Sequence, residues 1–198
     1  RVKELMAFAT LRELDLGGNK LTDEMAESLE AGLRLSNLEI LDLYNCKIED
    51  KGTKHIMDGI CASKVKTLRM GKNGISKGGV ALDSVASVLQ HSNLTELRLS
   101  HNPIGDEGAI LIAKALPKSK LVRLHLYKCQ IADAGAASIA DALNGNTTLF
   151  ELWLQENLIG DTGARKIAEC LPRASALEEL RLFDIALAMM ARITSGSM

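Results

Sequence analysis

The sequence predicts a curved α/β solenoid with about seven short parallel strands on its concave side and helices on its convex side. One leucine pattern occurs seven times, starting at residues 11, 38, 65, 94, 121, 149 and 177, so the step is 27 to 29 residues. Apolar residues at helical spacing follow the strand patterns, as at Ala109, Ile112, Ala113 and Leu116. A single strand and helix cannot bury their apolar faces alone, whereas stacked repeats bury them in one continuous core. Because a helix is wider than the strand spacing of about 4.8 Å, the stack must curve with its strands inside.

Each repeat begins with a strand, since its L-x-L alternation places leucines on one face. The first copy has this pattern at Leu14 and Leu16. A small polar residue follows at a fixed offset: Asn19, Cys46, Asn73, Asn102, Cys129 or Asn157. We expect this side chain to hydrogen-bond the backbone of the turn, where the chain leaves the sheet and loses its ladder partners.

A helix is predicted to follow the turn in each repeat. An aspartate lies twelve residues after five of the repeat starts, and we interpret it as the N-cap of its own helix: Asp23, Asp50, Asp106, Asp133 and Asp161. A glycine follows two positions later in most repeats, where a side chain would crowd the neighbouring helix. The third repeat has Lys77 at the cap position, which favours Ser76 as its cap, and its apolar stripe comes two residues late. There we expect a small local bulge and no change of fold.

Composition excludes several classes of protein. The 24 basic and 25 acidic residues give a net charge of −1, so the chain has no overall positive field for nucleic acid. No run of 18 apolar residues occurs, which excludes a membrane-spanning helix, and the first residues lack a signal peptide. The four cysteines (Cys46, Cys61, Cys129 and Cys170) lack metal-ligand spacing. We interpret them as reduced, mostly buried thiols, and we expect a location in the cytoplasm, with the nucleus as the alternative.

The strand positions between the leucines are predicted to face the concavity. Candidate partner-binding residues at these positions are Tyr44, Arg69, Arg98, His101, Arg123, His125, Tyr127, Trp153, Arg181 and Phe183. They include four of the six aromatic residues of the chain, and Tyr, Trp and Arg are typical interface anchors. Basic residues concentrate in repeats three to five, and acidic residues flank them on both sides. The alternative is that neighbouring charges pair, as Asp42 with Arg69 or Glu96 with Arg123 and Glu151, and that Trp153 stacks on Arg181.

The repeat resembles the ribonuclease-inhibitor-like class of leucine-rich repeats. It matches L-x-x-L-x-L-x-x-N/C-x-I/L-x-D-x-G, followed by an I-A-x-x-L helix, over about residues 5–188. The class includes sensing regions of NOD-like receptors and the GTPase-activating protein of Ran. The resemblance implies a horseshoe that binds a protein partner on its concave sheet, as the sensing or scaffold part of a larger signalling protein. It also implies an alternative, activation of a small Ran-like GTPase, although the loops after the strands contain no arginine.

No catalytic pattern occurs in the sequence. The four histidines have no Ser, Asp or Cys at a recognisable catalytic spacing, and phosphate-loop and zinc-protease motifs are absent. We therefore expect no enzyme activity, no cofactor and no metal. We also expect no nucleic-acid partner, because the acidic flanks of the basic strip would repel phosphates. The oligomeric state is not predicted.

The whole chain, residues 1–198, is predicted to form one domain. Residues 3–9 resemble the end of a preceding helix, and Ile185 replaces the Asn or Cys of the last repeat. Solenoids need capped ends, so we expect this chain to be a fragment of a longer protein.

Overall fold

Strands and helices alternate along residues 10–182, which are the residues described by the computed structural model. The strands are β1 (Glu13–Asp15), β2 (Ile40–Asp42), β3 (Thr67–Arg69), β4 (Glu96–Arg98), β5 (Arg123–His125), β6 (Glu151–Trp153) and β7 (Glu179–Arg181). The helices are α1 (Asp23–Leu33), α2 (Glu49–Cys61), α3 (Val80–His91), α4 (Gly105–Ala115), α5 (Asp133–Leu143) and α6 (Asp161–Cys170). Short 3₁₀ turns follow α4 and α6 at Leu116–Lys118 and Leu171–Arg173. The predicted α/β solenoid is confirmed.

The seven strands form one parallel sheet in chain order. Equal positions of successive repeats lie opposite each other, so that Leu97 of β4 pairs with Leu124 of β5 and Arg98 with His125. The register predicted from the repeat spacing is therefore confirmed from β1 to β7.

The core lies between the sheet and the helices. The central leucines of β2 to β6 are fully buried, and the apolar stripes of the helices, such as Ala109 and Ile112 of α4, cover them. Full burial of one such side chain stabilises the fold by about 1.5–3 kcal/mol. The predicted burial of the cysteines is confirmed as well, since only Cys61 is partly exposed. Burial raises the pKa of Cys129 to about 12.

Buried asparagines hydrogen-bond the backbone of their turns, as predicted, and they also form a ladder between repeats that was not predicted. Asn102 Oδ1 accepts from the amide of Asn73 at 2.8 Å and from that of Ile75 at 3.2 Å. Its Nδ2 donates to the carbonyls of Met70 and Leu99. Asn73 and Asn157 repeat this pattern, so each asparagine joins its own turn to the turn of the preceding repeat.

The N-cap prediction is wrong in an informative way. Each aspartate lies in the first turn of its helix, and α1 is capped by Thr22, whose hydroxyl accepts from the amide of Met25. Asp106 Oδ1 accepts from the amides of Ala132 and Gly135 at 2.8 and 2.9 Å, so it caps the helix of the following repeat. Asp133 does the same for α6. Sequence distance hides this contact, because an aspartate before a helix is the usual sign of a local cap.

The glycine that recurs two residues after the aspartate in most repeats is explained in part by this contact. A Cβ atom at Gly135 would lie 2.6 Å from Asp106 Oδ1 and 2.8 Å from the side chain of Ile131. The predicted crowding is thus confirmed. At Gly135 and Gly163 the nearest group is the carboxylate of the preceding repeat, whereas at Gly52 and Gly108 it is an isoleucine of the same repeat.

The third repeat contains the expected local insertion. Its helix α3 begins at Val80, with Gly79 as N-cap, and Gly78 turns the chain with φ 72°. Ser76 does not cap the helix as predicted, since its hydroxyl donates to Asp50 at 2.8 Å. The register between β3 and β4 is unchanged, so the insertion stays local.

Within the part of the chain that the structure describes, none of the helices is long and apolar enough to cross a membrane.

Candidate functional site

A cavity of about 290 Å³ lies at the centre of the concave side of the sheet. We call it the central cavity; it is lined by Asp42, Tyr44, Arg69, Gly71, Arg98, Ser100, His125, Tyr127 and Trp153. Six of the ten predicted site residues line it. Arg123, His101 and Arg181 contact lining residues or their partners, and Phe183 lies outside the described residues.

Tyr44 stands on the wall of the central cavity because a glycine leaves it room. The side chain is 43% exposed, and its ring lies beside Gly71, where a Cβ atom would come 3.0 Å from Cδ2 of the tyrosine. Asp42 accepts a hydrogen bond from the Tyr44 amide at 2.9 Å, which fixes the backbone after β2. The site prediction omitted both Asp42 and Gly71, although both occupy concave positions of the repeat.

Trp153 lies between His125 and Arg181 of the neighbouring strands. The rings of His125 and Trp153 are stacked, with centroids 3.7 Å apart and an interplanar angle of 4°. The guanidinium of Arg181 lies 4.0 Å from the Trp153 centroid, as the alternative of a cation–π contact predicted. This stack gives the tryptophan a fixed orientation.

His125 is not the exposed residue that the sequence predicted. It is only 2% exposed, because Trp153 covers its ring, and its Nε2 lies 2.9 Å from Oε1 of Glu151. Burial and the charge of Arg98 lower the pKa of His125, and the nearby carboxylate of Glu151 only partly opposes them. The imidazole is therefore uncharged at neutral pH.

A second histidine extends the aromatic surface. His101 Nε2 lies 3.0 Å from the hydroxyl of Tyr127, and the two rings meet edge to face. Tyr127 in turn contacts Trp153, with ring centroids 6.5 Å apart. Burial and the charge of Lys128 lower the pKa of His101, so this side chain is neutral as well.

Glu96 organises the basic residues. It is 4% exposed and accepts from Arg98 at 2.6 Å and from Arg123 at 2.9 Å. Burial alone would raise the pKa of Glu96, but the hydrogen bond from Arg123 and the charge of Arg98 outweigh it, and the pKa is lowered. The predicted pairing of Asp42 with Arg69 is present at 3.3 Å, whereas Glu151 contacts His125. Much of the predicted basic centre is thus paired within the sheet.

Several buried polar atoms on this side have no partner. Among residues 10–182, the buried side-chain atoms without a hydrogen bond are Arg69 Nε, Ser100 Oγ, Trp153 Nε1 and Gln155 Oε1. All four belong to concave positions, and the first three belong to residues that line the central cavity. An unpaired buried polar group costs about 1–3 kcal/mol, so its occurrence needs an explanation. Ser100 was absent from the predicted site, and its place in the same repeat position as Tyr44 and Tyr127 was the available signal.

The residues that end the strand turns hold a left-handed backbone. Lys72 and His101 have φ of 58° and 62°, and their amides donate to the carbonyls of Ser100 and Tyr127 in the next repeat. Only Gly18 and Asn45, of types that favour this conformation, indicate it in the sequence. The regular turn sets the position of the side chains along the rim.

Between residues 10 and 182, no three His, Cys, Asp or Glu side chains come together in an arrangement that could hold a metal ion.

A family model for the leucine-rich repeat matches five segments of the chain. They are residues 9–29, 34–57, 90–113, 118–140 and 145–168. The unmatched stretch between the second and third segments contains the third repeat, whose helix starts late.

Two curated mouse proteins are similar in sequence. Ribonuclease inhibitor is 33% identical over 89% of this chain and 46% of its own length. The NACHT, LRR and PYD domains-containing protein 9C is 32% identical over 54% of this chain and 11% of its own length. The chain therefore spans less than half the length of either relative.

Two solved structures share the fold at low sequence identity. An internalin of Listeria monocytogenes has a TM-score of 0.55 at 19% identity, over 93% of this chain and 45% of that one. The tropomodulin C-terminal domain of Caenorhabditis elegans also has a TM-score of 0.55, at 14% identity, over 98% and 95%. Together with the repeat geometry, the family match establishes that the chain belongs to the leucine-rich-repeat family, in its ribonuclease-inhibitor-like class.

Proposed function

We propose that the concave sheet binds a protein partner and catalyses no reaction. Leucine-rich-repeat proteins commonly act as protein-interaction modules. The observation that carries the proposal is the central cavity, where Tyr44, Tyr127 and Trp153 meet Arg69 and Arg98. These residue types dominate the energy of protein interfaces when they surround a pocket that a partner can desolvate.

The proposed contact surface contains the predicted residues around this cavity. His101, Arg123 and Arg181 extend it along the sheet, and Phe183 occupies the same repeat position as Tyr44 and Tyr127. Buried His125 contributes by supporting Trp153. Because Glu96 holds Arg98 and Arg123 on the sheet, the arrangement favours binding over the GTPase-activating alternative.

We further propose that residues 1–198 form one domain within a longer signalling protein, as its sensing or scaffold part. The small share of either relative that the chain spans supports this proposal. The free, mostly buried thiols favour the cytoplasm or the nucleus. A protein partner is favoured over nucleic acid, because acidic residues flank the basic strip.

Affinity capture from a native lysate tests the proposal. The wild-type chain is compared with a variant carrying Tyr44→Ala, Tyr127→Ala and Trp153→Ala. A matched control carries Leu35→Ala, Val80→Ala and Leu158→Ala, which removes three exposed apolar side chains away from the cavity. Circular dichroism verifies each fold.

We expect the wild type and the control to retain the same protein and the cavity variant to lose it. Capture of an identical set by all three chains would place binding elsewhere and refute the proposal.

A further inference from the structure

We infer that the central cavity receives an acidic side chain, Asp or Glu, from an extended segment of the protein partner. This inference rests on the proposed function and specifies the chemistry of the partner.

The unpaired polar atoms of three residues that line the cavity can act as hydrogen-bond donors. Arg69 Nε and Trp153 Nε1 can only donate, and the Ser100 hydroxyl can donate to any acceptor. Ser100 is 4% exposed, so its hydroxyl lies in a largely enclosed position. A ligand that satisfies these groups must therefore present acceptor oxygens, and a carboxylate presents two.

The charge of the lining suits one negative group. Arg69 and Arg98 are positive and Asp42 is negative, while His125 is uncharged at neutral pH. Glu96 does not line the cavity, and its carboxylate forms ion pairs with both Arg98 and Arg123. The nine lining residues thus carry a formal charge of +1, and the carboxylate of Glu151 beside His125 adds a negative charge next to them. A singly charged carboxylate therefore suits the cavity better than a doubly charged phosphate.

The shape and walls of the cavity suit a peptide. Tyr44 and Tyr127 offer aromatic surface to methylene groups and peptide planes, whereas the faces of Trp153 are covered by His125 and Arg181. A nucleic-acid backbone would bring further phosphates against the acidic flanks, including Asp15 and Glu156. The observations therefore favour an acidic protein segment over an oligonucleotide.

Selection from a displayed library of random short peptides tests the inference, with the full chain immobilised. Selected peptides are synthesised, and each is paired with a version in which its Asp or Glu becomes Asn or Gln. Binding is measured by the fluorescence anisotropy of a dye-labelled copy of each peptide, because this signal also reports on the variant that lacks Tyr44, Tyr127 and Trp153, the single tryptophan of the chain. The protein variants are Arg98→Gln, Ser100→Ala and, as a matched charge control, Arg165→Gln on the exposed side of α6.

We expect the selected peptides to share an acidic residue. Its amide replacement, and Arg98→Gln in the protein, each weaken binding by about tenfold or more, which corresponds to about 1.4 kcal/mol. Arg165→Gln binds like the wild type. Ser100→Ala weakens peptide binding but does not lower the melting temperature of the free chain, since it removes an unpaired hydroxyl. This variant keeps the test decisive if Arg98→Gln fails to fold.

Three results would overturn the inference. Peptides that lack acidic residues, but still need Tyr44, Tyr127 and Trp153, would refute the carboxylate and leave the proposed function standing. Peptides whose binding does not depend on those three side chains would refute both the acidic side chain and the proposed function. Displacement of the peptides by a single-stranded oligonucleotide or by inorganic phosphate, at constant ionic strength, would assign the cavity to phosphate groups.

Discussion

At the scale of single residues, Asn102 shows how much one buried side chain does in this fold. It is 0% exposed, and its amide group makes four hydrogen bonds that join two repeats. Replacing it by Ala leaves two buried backbone amides without their acceptor, whereas the carbonyls of Met70 and Leu99 keep donors from Asn73 and Cys129. Because the side chain faces away from the cavity lining, its effect belongs to stability and not to binding.

We predict that Asn102→Ala lowers the free energy of unfolding by about 3 kcal/mol or more, since unpaired buried groups cost about 1–3 kcal/mol each. Urea denaturation measures this change. Asn144→Ala, at an exposed position after α5, is the control and is expected to change stability by less than about 0.5 kcal/mol. Equal effects of the two substitutions would contradict the ladder.

His125 makes the stability of the folded chain depend on pH. Its pKa is lowered in the folded chain, so the unfolded chain binds more protons just below the ordinary value of 6.5. Its contribution to stability is therefore fully present above about pH 6.5 and decreases as the pH falls towards the folded pKa. The groups that face the ring are Glu151, Trp153, Arg98 and Glu96.

We predict that the urea midpoint of the wild type falls between about pH 7 and pH 5 more steeply than that of His125→Gln. His91→Gln, at the exposed end of α3, serves as the control and is expected to keep the wild-type slope. If His125→Gln follows the wild type over this range, the buried neutral imidazole does not carry the effect.

At the scale of elements, the helices are stabilised by contacts between repeats. The predicted strands were confirmed in position and register, because leucine alternation and a regular step determine both. The prediction of the helix caps was wrong, because the carboxylate of Asp106 accepts hydrogen bonds from amides 26 and 29 residues later in the chain. Local sequence patterns describe neighbours along the chain, and this contact connects neighbours in space.

We predict that Asp106→Ala lowers the free energy of unfolding by about 1–2 kcal/mol, through loss of the cap of α5. Glu107→Ala removes the same charge from the same turn but no bond to α5, so we expect it to cost less. Thermal unfolding of both variants measures the difference. A larger loss for Glu107→Ala would show that charge near the helix end outweighs the cap.

The candidate site, like the helices, was predicted from the sequence only in part. The sequence places the right side chains in columns, and six of the predicted residues line one cavity. It does not show that Trp153 covers His125, because ring stacking depends on side-chain rotamers. Nor does it show which donors remain unpaired, since that requires the position of every neighbour of Ser100 and Arg69.

At the scale of the whole molecule, stability is the sum of contacts between adjacent repeats. A central repeat has two neighbours, whereas a repeat at the end of the described stack has one. Leu124 of β5 is fully buried between β4 and β6, and Leu14 of β1 is only partly buried.

We predict that Leu124→Ala costs about 2–5 kcal/mol and that Leu14→Ala costs clearly less. Chemical denaturation of both variants tests the order, and native-state hydrogen exchange should find the slowest amides in the central repeats. An equal loss of unfolding free energy at both positions would mean that a repeat contributes the same stability in the centre and at the end of the stack.

The capping aspartates also give the stack a direction. Asp106 holds the start of α5 and Asp133 holds the start of α6, so each cap is supplied by the repeat on the N-terminal side. Peeling repeats away from the C-terminal end leaves every remaining cap in place. Peeling from the N-terminal end removes Asp106 before α5 and Asp133 before α6, so unfolding that has passed these two repeats also removes the caps of the helices that follow. A pulling force applied to this solenoid would therefore meet different resistance at its two ends.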